Sequence, residues 1–213
     1  MRLTTLYKRV LLEQILVEVS KNDPIPEITR VKDHLAIIVV GPPASGKSTF
    51  VNNFIMPRGH SIKSFNPDDT YTLITGDPTR SKNIPGVDDV GLTSKYLESY
   101  IKSGNNFVYD STGNTVPRIQ GIIKLARENG YKVIICHLFA PKHVGSVRNQ
   151  QRIRHVDQDY LEMVYRTNQQ IISRIYNESK PDNYYIVLSF QDKYKFYKYE
   201  GGKLAKRKVD RYV

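Results

Sequence analysis

The chain has 213 residues, of which 39% are hydrophobic and 25% charged, a composition typical of a soluble globular protein. The length fits a single α/β domain with at most a small appendage. One cysteine, Cys136, excludes an intramolecular disulfide, and its apolar neighbours predict a core position. The formal net charge of +11 favours a polyanionic partner, with nucleic acid the leading candidate, although a basic but inert surface has the same composition.

Residues 1–30 predict an N-terminal helix and a linker. Apolar residues recur at helical spacing over residues 4–20, and the segment Asn22-Asp23-Pro24-Ile25-Pro26 ends this pattern. Charged residues interrupt the apolar stretch, so we expect neither a signal peptide nor a membrane span. Together with the single cysteine, this predicts a cytoplasmic protein.

Strands and helices alternate in the predicted central domain, residues 31–190. Apolar runs predict strands at residues 35–40, 60–65, 107–109, 133–139 and 184–190. Helical patterns predict helices at residues 47–54, 93–103, 117–129, 142–153 and 157–178. Glycine and proline predict a loop at residues 75–91. The alternation indicates an α/β fold with a mostly parallel central sheet and flanking helices.

The predicted C-terminal unit, residues 191–213, is basic and aromatic. Aromatic and basic residues alternate around Glu200-Gly201-Gly202-Lys203, which predicts a β-hairpin packed on or extending the same domain. Two interpretations stay open. Either the lysines bind phosphates while the tyrosines stack on bases, or the tyrosines cover the sheet while the lysines discourage edge pairing.

A phosphate-binding loop follows the first predicted strand of the central domain. Residues 41–48 match G-x-x-x-x-G-K-[ST], and a predicted helix follows, which is the context that this motif requires. Lys47 is expected to reach the β- and γ-phosphates, and the Ser48 hydroxyl to bind Mg²⁺. The residues predicted to bind ATP are Gly41, Pro42, Ala44, Ser45, Gly46, Lys47, Ser48 and Thr49.

The sequence favours phosphate transfer over hydrolysis. An N-K-x-D signature is missing, which argues against a guanine-specific GTPase, and Asp88-Asp89-Val90-Gly91 matches the switch pattern D-x-x-G without a preceding apolar strand. We interpret that match as a loop coincidence. The strand at residues 107–109 ends in Asp110, which could contact Mg²⁺ through water, but Ser111 follows where a motor ATPase needs a second acid.

Carboxylates and arginines suited to hydroxyl phosphorylation lie on either side of this strand in the sequence. Asp68 or Asp69 is a candidate general base, although Asn-Pro-Asp-Asp is also strong turn chemistry. Arg148 and Arg152 are four residues apart and are predicted to share a helix face, with Arg154 close by. They predict a lid that closes on the migrating phosphoryl group, with a solvated basic face as the alternative.

The order and spacing of these segments resemble the kinase domain of phage polynucleotide kinase and its relatives, including the zeta-toxin kinases. The resemblance covers about residues 35–175 and depends on residues 41–48, 68–69, 110–115, 129–133 and 148–152. It implies a P-loop kinase fold of the small-kinase type with an arginine lid. It also implies ATP and Mg²⁺ as cofactors. The resemblance further implies that Lys47 and Arg152 are catalytic, that Asp68 or Asp69 is the general base, and that Arg148 binds the nucleotide. The acceptor pocket would include Asp110, Thr112, Gly113 and Tyr71.

Three functional hypotheses follow. The first is a kinase that phosphorylates a hydroxyl of a nucleic acid, either a 5′-hydroxyl end or a hydroxylated modified base. Polynucleotide kinase has an arginine shortly after its base, whereas this chain has Tyr71 there and no arginine before Arg80, which weakens the 5′-end version. The second is a zeta-toxin-like kinase of a nucleotide sugar such as UDP-N-acetylglucosamine. The third is a non-catalytic P-loop binding module.

Overall fold

The structure is a computed structural model that describes residues 34–57, 62–80, 84–190, 193–200 and 203–204. The predicted N-terminal helix at residues 4–20 lies outside these ranges. The division into residues 1–30, 31–190 and 191–213 stays a prediction.

Within the described residues, helices flank a seven-stranded sheet. The strands are β1 Leu35–Val40, β2 Lys63–Phe65, β3 Phe107–Ser111, β4 Lys132–Phe139, β5 Asn183–Phe190, β6 Lys193–Glu200 and β7 Lys203–Leu204. The helices are α1 Lys47–Phe50, α2 Pro67–Thr75, α3 Asp89–Lys102, α4 Val116–Glu128, α5 Lys142–Gln150 and α6 Gln158–Ser179. A π-helical turn, Val51–Ile55, continues α1.

The sheet order places the phosphate loop at the centre of the fold. The strands run β2-β3-β1-β4-β5-β6-β7; β2, β3, β1, β4 and β5 pair in parallel, and β6 is antiparallel to β5. All six residues of β1 are buried, because this strand lies inside the sheet with helices on both faces. The predicted α/β fold with a mostly parallel sheet is confirmed. Since the parallel strands end at the same edge, the loops after β1, β2 and β3 meet there.

The side chains of β1 alternate between two hydrophobic cores. Ile38 packs on one face with residues of α3, α4 and α6. Ile37 packs on the other face, against Phe50 and Phe54 of the loop helix and its π-helical continuation. The phosphate loop is therefore anchored at both ends, by a buried strand before it and by buried aromatic rings after it.

The segment Asn66-Pro67-Asp68-Asp69, whose sequence is typical of a turn, forms the start of helix α2. The Asn66 side chain accepts a hydrogen bond from the backbone N–H of Asp68 at 2.8 Å, and Pro67 occupies the first turn. An asparagine cap followed by proline is a strong helix start. The two candidate carboxylates, Asp68 and Asp69, therefore lie in the first turn of α2 and point to different sides.

The D-x-x-G segment is a helix start and not part of a loop. Asp88 accepts a hydrogen bond from the backbone N–H of Gly91 at 2.8 Å and caps α3, which begins at Asp89 instead of near residue 93. The predicted loop at residues 75–91 is correspondingly shorter.

The aromatic residues of β6 cover the sheet. Tyr194 lies 4.9 Å from the ring of Phe50, and Phe196 lies 5.1 Å from that of Phe54. On the opposite face, Tyr199 contacts Tyr176 edge to face at 4.9 Å. The packing favours the second interpretation of the C-terminal pattern, because the ring of Tyr199 is buried and those of Tyr194 and Phe196 are partly buried against the core. In the described part of the chain, no helix is long and apolar enough to cross a bilayer.

Candidate active site

The phosphate loop has the backbone geometry that its glycines predict. Gly41 and Gly46 have φ of 153° and 91°. A Cβ atom on Gly41 would lie 2.5 Å from the carbonyl oxygen of Leu138, so a side chain is excluded there. The loop turns directly into α1, whose first residue is Lys47.

Lys47 is folded over the loop. Its ammonium donates hydrogen bonds to the carbonyl oxygens of Gly41 and Pro42, both at 3.0 Å. Burial lowers the pKa of Lys47, while the Asp110 carboxylate opposes this effect and Arg152 adds to it. Phosphate oxygens in the loop would favour the charged ammonium, as the predicted role of Lys47 requires.

Asp110 and Ser48 fit a magnesium ion. The Ser48 hydroxyl donates to Asp110 Oδ2 at 3.2 Å, and Asn66 donates to the same oxygen at 3.3 Å. Asp110 is buried, and its Oδ1 has no hydrogen-bond partner among the described residues. Burial raises the pKa of Asp110, and Lys47 opposes this. A buried, unpartnered carboxylate oxygen beside a hydroxyl suits Mg²⁺ or one of its waters.

No group of three or more His, Cys, Asp and Glu side chains that could hold a metal is present within the described ranges. A magnesium ion in a phosphate-binding loop does not need such a group, because it keeps several waters and is bound largely by phosphates.

The structure separates the two candidate bases. Asp68 lines a cleft of about 530 Å³ together with Lys47, Ser48 and Asp110, whereas Asp69 is exposed and is not part of its lining. Partial desolvation and the neighbouring charge of Asp68 raise the pKa of Asp69. The geometry favours Asp68 as the carboxylate that faces an acceptor.

Four arginines line this cleft: Arg80 after α2, Arg118 on α4, and Arg152 and Arg154 in the segment that follows α5. Arg80 and Arg154 both contact Asp68 Oδ1, at 3.0 and 2.7 Å. Sequence reasoning noted that the arginine expected after the base was missing. The structure brings Arg80 to that carboxylate from beyond the end of α2, so the expected charge is present although its sequence position differs.

A second cleft of about 340 Å³ lies on the nucleotide side. Its lining combines the phosphate loop with the lid arginines: Ala44, Gly46, Lys47, Ser48, Thr49, Arg148, Gln151 and Arg152. Lys47, Ser48 and Arg152 line both clefts. A phosphoryl group passing from one cleft to the other would be surrounded by these three residues.

The lid arginines do not share a helix face. Helix α5 ends at Gln150, so Arg148 lies on the helix and Arg152 in the turn that follows it. The predicted helix over residues 142–153 is too long at its end. Both arginines nevertheless line the same cleft, because the chain reverses direction after α5 and returns over the phosphate loop.

Asn149 clamps this reversal, which we name the lid loop, residues 150–156. Its side-chain amide donates to the carbonyl oxygen of Val156 at 2.8 Å and accepts from the Val156 N–H at 3.0 Å. His155 Nδ1 lies 2.8 Å from the Asn149 carbonyl oxygen. Asn149 is buried. It lies within the segment 148–152 that carries the family resemblance, but nothing in the sequence indicated a role for its side chain.

The predicted acceptor residues divide into two groups. Thr112 and Asp110 line the larger cleft, as do Arg118 and Tyr160, which sequence reasoning did not single out. Gly113 forms the turn after β3 with φ of 78°, and Tyr71 is buried beneath the Arg80 guanidinium, 4.4 Å from ring centre to Cζ. The only available signal for Arg118 was its place in the helix that follows the strand-end Asp110.

His137 behaves as a core residue, as its apolar context predicts. Its ring nitrogens lie 2.8 Å from the Tyr184 hydroxyl and 2.7 Å from Asn168 Oδ1. Burial lowers the pKa of His137 to about 4. The ring is therefore neutral at pH 7 and has a structural role behind the phosphate loop.

The fold and the site define a P-loop nucleotide-binding protein of the kinase type, as the resemblance implied. The chain belongs to the AAA_33 family, described as an AAA domain, whose family model matches residues 37–175. No curated protein sequence matches the chain significantly.

Solved structures of similar fold include a toxin–antitoxin system and two further complexes. The PezAT system of Streptococcus pneumoniae has a TM-score of 0.57 and 15% identity, covering 88% of this chain and 79% of that one. A chain of the AvrRxo1-ORF1:ORF2 complex with ATP has a TM-score of 0.57 and 18% identity, covering 81% and 60%. A chain of the Pnkp1/Rnl/Hen1 RNA repair complex has a TM-score of 0.55 and 18% identity, covering 73% and 49%. This chain thus spans less than two thirds of the latter two, and identities this low show the fold alone.

Proposed function

We propose that the protein is an ATP-dependent kinase that transfers the γ-phosphate to a hydroxyl group of a nucleic acid. The observation that carries this proposal is the junction of two clefts at Lys47, Ser48 and Arg152, with Asp68 on the acceptor side. A binding module without catalysis has no need for a carboxylate across the junction from the phosphate loop.

The donor side suits the phosphates of ATP. Its lining holds Lys47, Arg148 and Arg152 and no carboxylate, so an anion there meets only positive side chains. Ser48 and Asp110 would hold Mg²⁺, which supplies charge neutralisation to the phosphates when bound. A cytoplasmic location, where ATP is abundant, agrees with this use.

The acceptor side suits deprotonation of a hydroxyl. The acceptor oxygen forms a bond to the γ-phosphorus, the bond from that phosphorus to its bridging oxygen breaks, and ADP leaves. The hydroxyl proton passes to Asp68. Lys47 and Arg152 stabilise the negative charge on the migrating group, because preorganised cations need no reorganisation at the moment of transfer.

Charge supports a nucleic acid as the acceptor. The chain has a net charge of +11. The lining of the larger cleft holds five lysine and arginine side chains against four carboxylates, so the support comes chiefly from the charge of the whole chain. The position of Arg80 beside Asp68 agrees with a 5′-hydroxyl end as the acceptor. Tyr194, Tyr197 and Tyr199 do not contribute to this support, because they pack on the core.

A nucleotide sugar is the second candidate acceptor. Ser111, Thr112 and Tyr160 give the larger cleft a neutral hydroxyl-bearing edge, and such groups suit sugar hydroxyls. The similar fold in a toxin–antitoxin system agrees with this alternative.

Transfer from γ-labelled ATP tests the proposal. The acceptors are 5′-hydroxyl DNA, 5′-hydroxyl RNA, duplex DNA with hydroxymethylated bases, and UDP-N-acetylglucosamine. We expect label on a nucleic acid, lost in Lys47→Ala and reduced at least about 100-fold in Asp68→Asn, since general base catalysis contributes 10²–10⁴-fold. Asp69→Asn is the matched control and should stay within about threefold of the wild type.

Label on the sugar nucleotide alone would replace the nucleic acid by the second candidate. Transfer to none of the four acceptors would refute the proposed activity on these acceptor classes. Equal losses in Asp68→Asn and Asp69→Asn would refute the assignment of the base.

A further inference from the structure

Two arginines contact the carboxylate of Asp68. Arg80 and Arg154 both approach Oδ1, at 3.0 and 2.7 Å. The Asp68 side chain is half exposed. A carboxylate fixed through one oxygen presents the other in a defined direction, which is what proton abstraction from a bound hydroxyl requires.

Arg80 is itself fixed by three further contacts. Its guanidinium bonds to the carboxylate of Asp89, donates to the Pro67 carbonyl oxygen at 3.3 Å, and lies over the ring of Tyr71 at 4.4 Å. Its side chain is only 25% exposed. These contacts hold the guanidinium in one orientation, with its Nη2 directed at Asp68, Asp89 and the Pro67 carbonyl oxygen.

Arg154 reaches the same oxygen from the lid loop. In the described part of the chain, Asp68 is its one carboxylate partner within 4 Å. Arg80 is thus the anchored member of the pair, whereas the contact from Arg154 depends on the position of the lid loop.

We propose that Arg80, oriented by Asp89 and Tyr71, is the positioning residue of the general base Asp68. This inference rests on the proposed function, in which Asp68 accepts the acceptor proton. It gives a role to Asp89, which lies within the D-x-x-G match and is the first residue of α3. It also accounts for the burial of Tyr71, which supports the guanidinium from below instead of contacting the acceptor.

The test compares Arg80→Ala and Arg80→Lys with Arg174→Ala as a matched control. Arg174 pairs with Glu178 on α6 and is not part of the cleft lining. We expect Arg80→Ala to lower kcat by roughly 10- to 100-fold, as loss of general base positioning does, with the KM for ATP within about twofold. Arg80→Lys keeps the charge but loses the planar guanidinium that lies over the Tyr71 ring, so it should restore only part of kcat.

A second readout does not depend on activity. In protein labelled with ¹³C at the aspartate carboxyl carbon, the signal missing from Asp68→Asn identifies Asp68. This signal should shift or broaden in Arg80→Ala, because the carboxylate loses the guanidinium that contacts it, and should stay unchanged in Arg174→Ala. Asp89→Asn, which loosens Arg80 without removing its charge, should lower kcat with a smaller change in the Asp68 signal. It also serves as the informative variant if Arg80→Ala does not fold.

An unchanged Asp68 carboxyl signal in both Arg80→Ala and Asp89→Asn, with kcat within about threefold of the wild type, would overturn the inference. Failure of wild-type transfer to every acceptor would refute the proposed function instead. In that case the carboxyl signal still decides whether Arg80 positions Asp68.

Discussion

Truncation of Asn149 should release the lid loop while leaving the phosphate loop intact. The Asn149 side chain makes both of its hydrogen bonds to the backbone of Val156, and this pair closes residues 150–156 into a turn. Arg152 and Arg154 lie within that turn and line the larger cleft. Asn149→Ala therefore removes the connection between the end of α5 and the return of the chain, without removing any group that lines either cleft.

The magnitude follows from the two hydrogen bonds. Each contributes about 1 kcal/mol net, and Val156 is partly exposed, so water satisfies part of its freed backbone groups. The closed loop should lose about 2 kcal/mol relative to open forms, which corresponds to a roughly 30-fold larger open population. The value of kcat/KM should fall by up to about the same factor, because the arginines act only when the loop is closed.

Trypsin reports on the loop independently of activity. Cleavage after Arg152 or Arg154 requires an extended segment, so under conditions of fast opening its rate follows the open population. We expect cleavage at these sites to accelerate roughly 30-fold in Asn149→Ala. Asn129→Ala is the matched control. It removes a single asparagine hydrogen bond, to the Leu125 carbonyl oxygen at the end of α4, and should leave cleavage in the lid loop unchanged.

The reasoning would be refuted by an Asn149→Ala protein whose lid loop is cleaved no faster than that of the wild type. It would also be refuted if activity fell while cleavage stayed the same, since the loss would then have a cause other than loop opening.

Three further predictions concern the acceptor side, the metal site and the core. Arg118→Ala should raise the KM for the acceptor about tenfold and leave the KM for ATP unchanged in steady-state assays, because Arg118 lines only the larger cleft. Asp110→Asn should raise the Mg²⁺ concentration needed for half-maximal activity about tenfold in a metal titration, since a charged oxygen ligand is lost. His137 has a pKa lowered from 6.5 to about 4, so the unfolded chain binds a proton that the folded chain excludes. Its contribution to stability is present above pH 6.5 and is lost as the pH falls from 6.5 toward 4, by about 2 kcal/mol between pH 7 and 5. In urea unfolding, His137→Gln should show a correspondingly smaller loss over this range.

The sheet and the phosphate loop could be predicted because their signals are local. Strand β1 is a continuous run of six buried apolar residues, and such runs are typical of central parallel strands. The motif at residues 41–48 follows it directly and a helix comes next, so the predicted strand and helix both support the assignment of the phosphate loop. Asp110 was identifiable because it ends an apolar strand. Its neighbour in the sheet, Val39, lies two residues before the loop, which explains why a strand-end acid reaches Ser48.

The arrangement around the candidate base could not be predicted, because it depends on contacts between elements. Arg80 is 12 residues from Asp68 in sequence, and a turn with positive φ at Arg80 itself brings the two together. Asp89 is the other acidic partner of Arg80. From the sequence it was interpreted as part of a loop, because no apolar strand precedes it. The sequence pattern places Asn149 in the interior of a helix. In the structure its side chain donates a hydrogen bond to the backbone carbonyl oxygen of Val156, and the helix ends one residue after it, earlier than the periodicity predicts.

The choice between Asp68 and Asp69 shows what the fold adds to the motif. Both carboxylates follow Asn66, which caps α2 and also donates to Asp110. Asn66 thereby connects the first turn of α2 to the end of β3. Consecutive residues of a helix are rotated by about 100° around its axis, so only one of the two aspartates can point toward the phosphate loop. The capped helix, and not the chemistry of either side chain, selects Asp68. The double variant Asn66→Ala with Pro67→Asn moves the helix cap by one residue. It should change the direction of the Asp68 side chain and remove the hydrogen bond from Asn66 to Asp110, because the same side chain caps α2 and contacts Asp110.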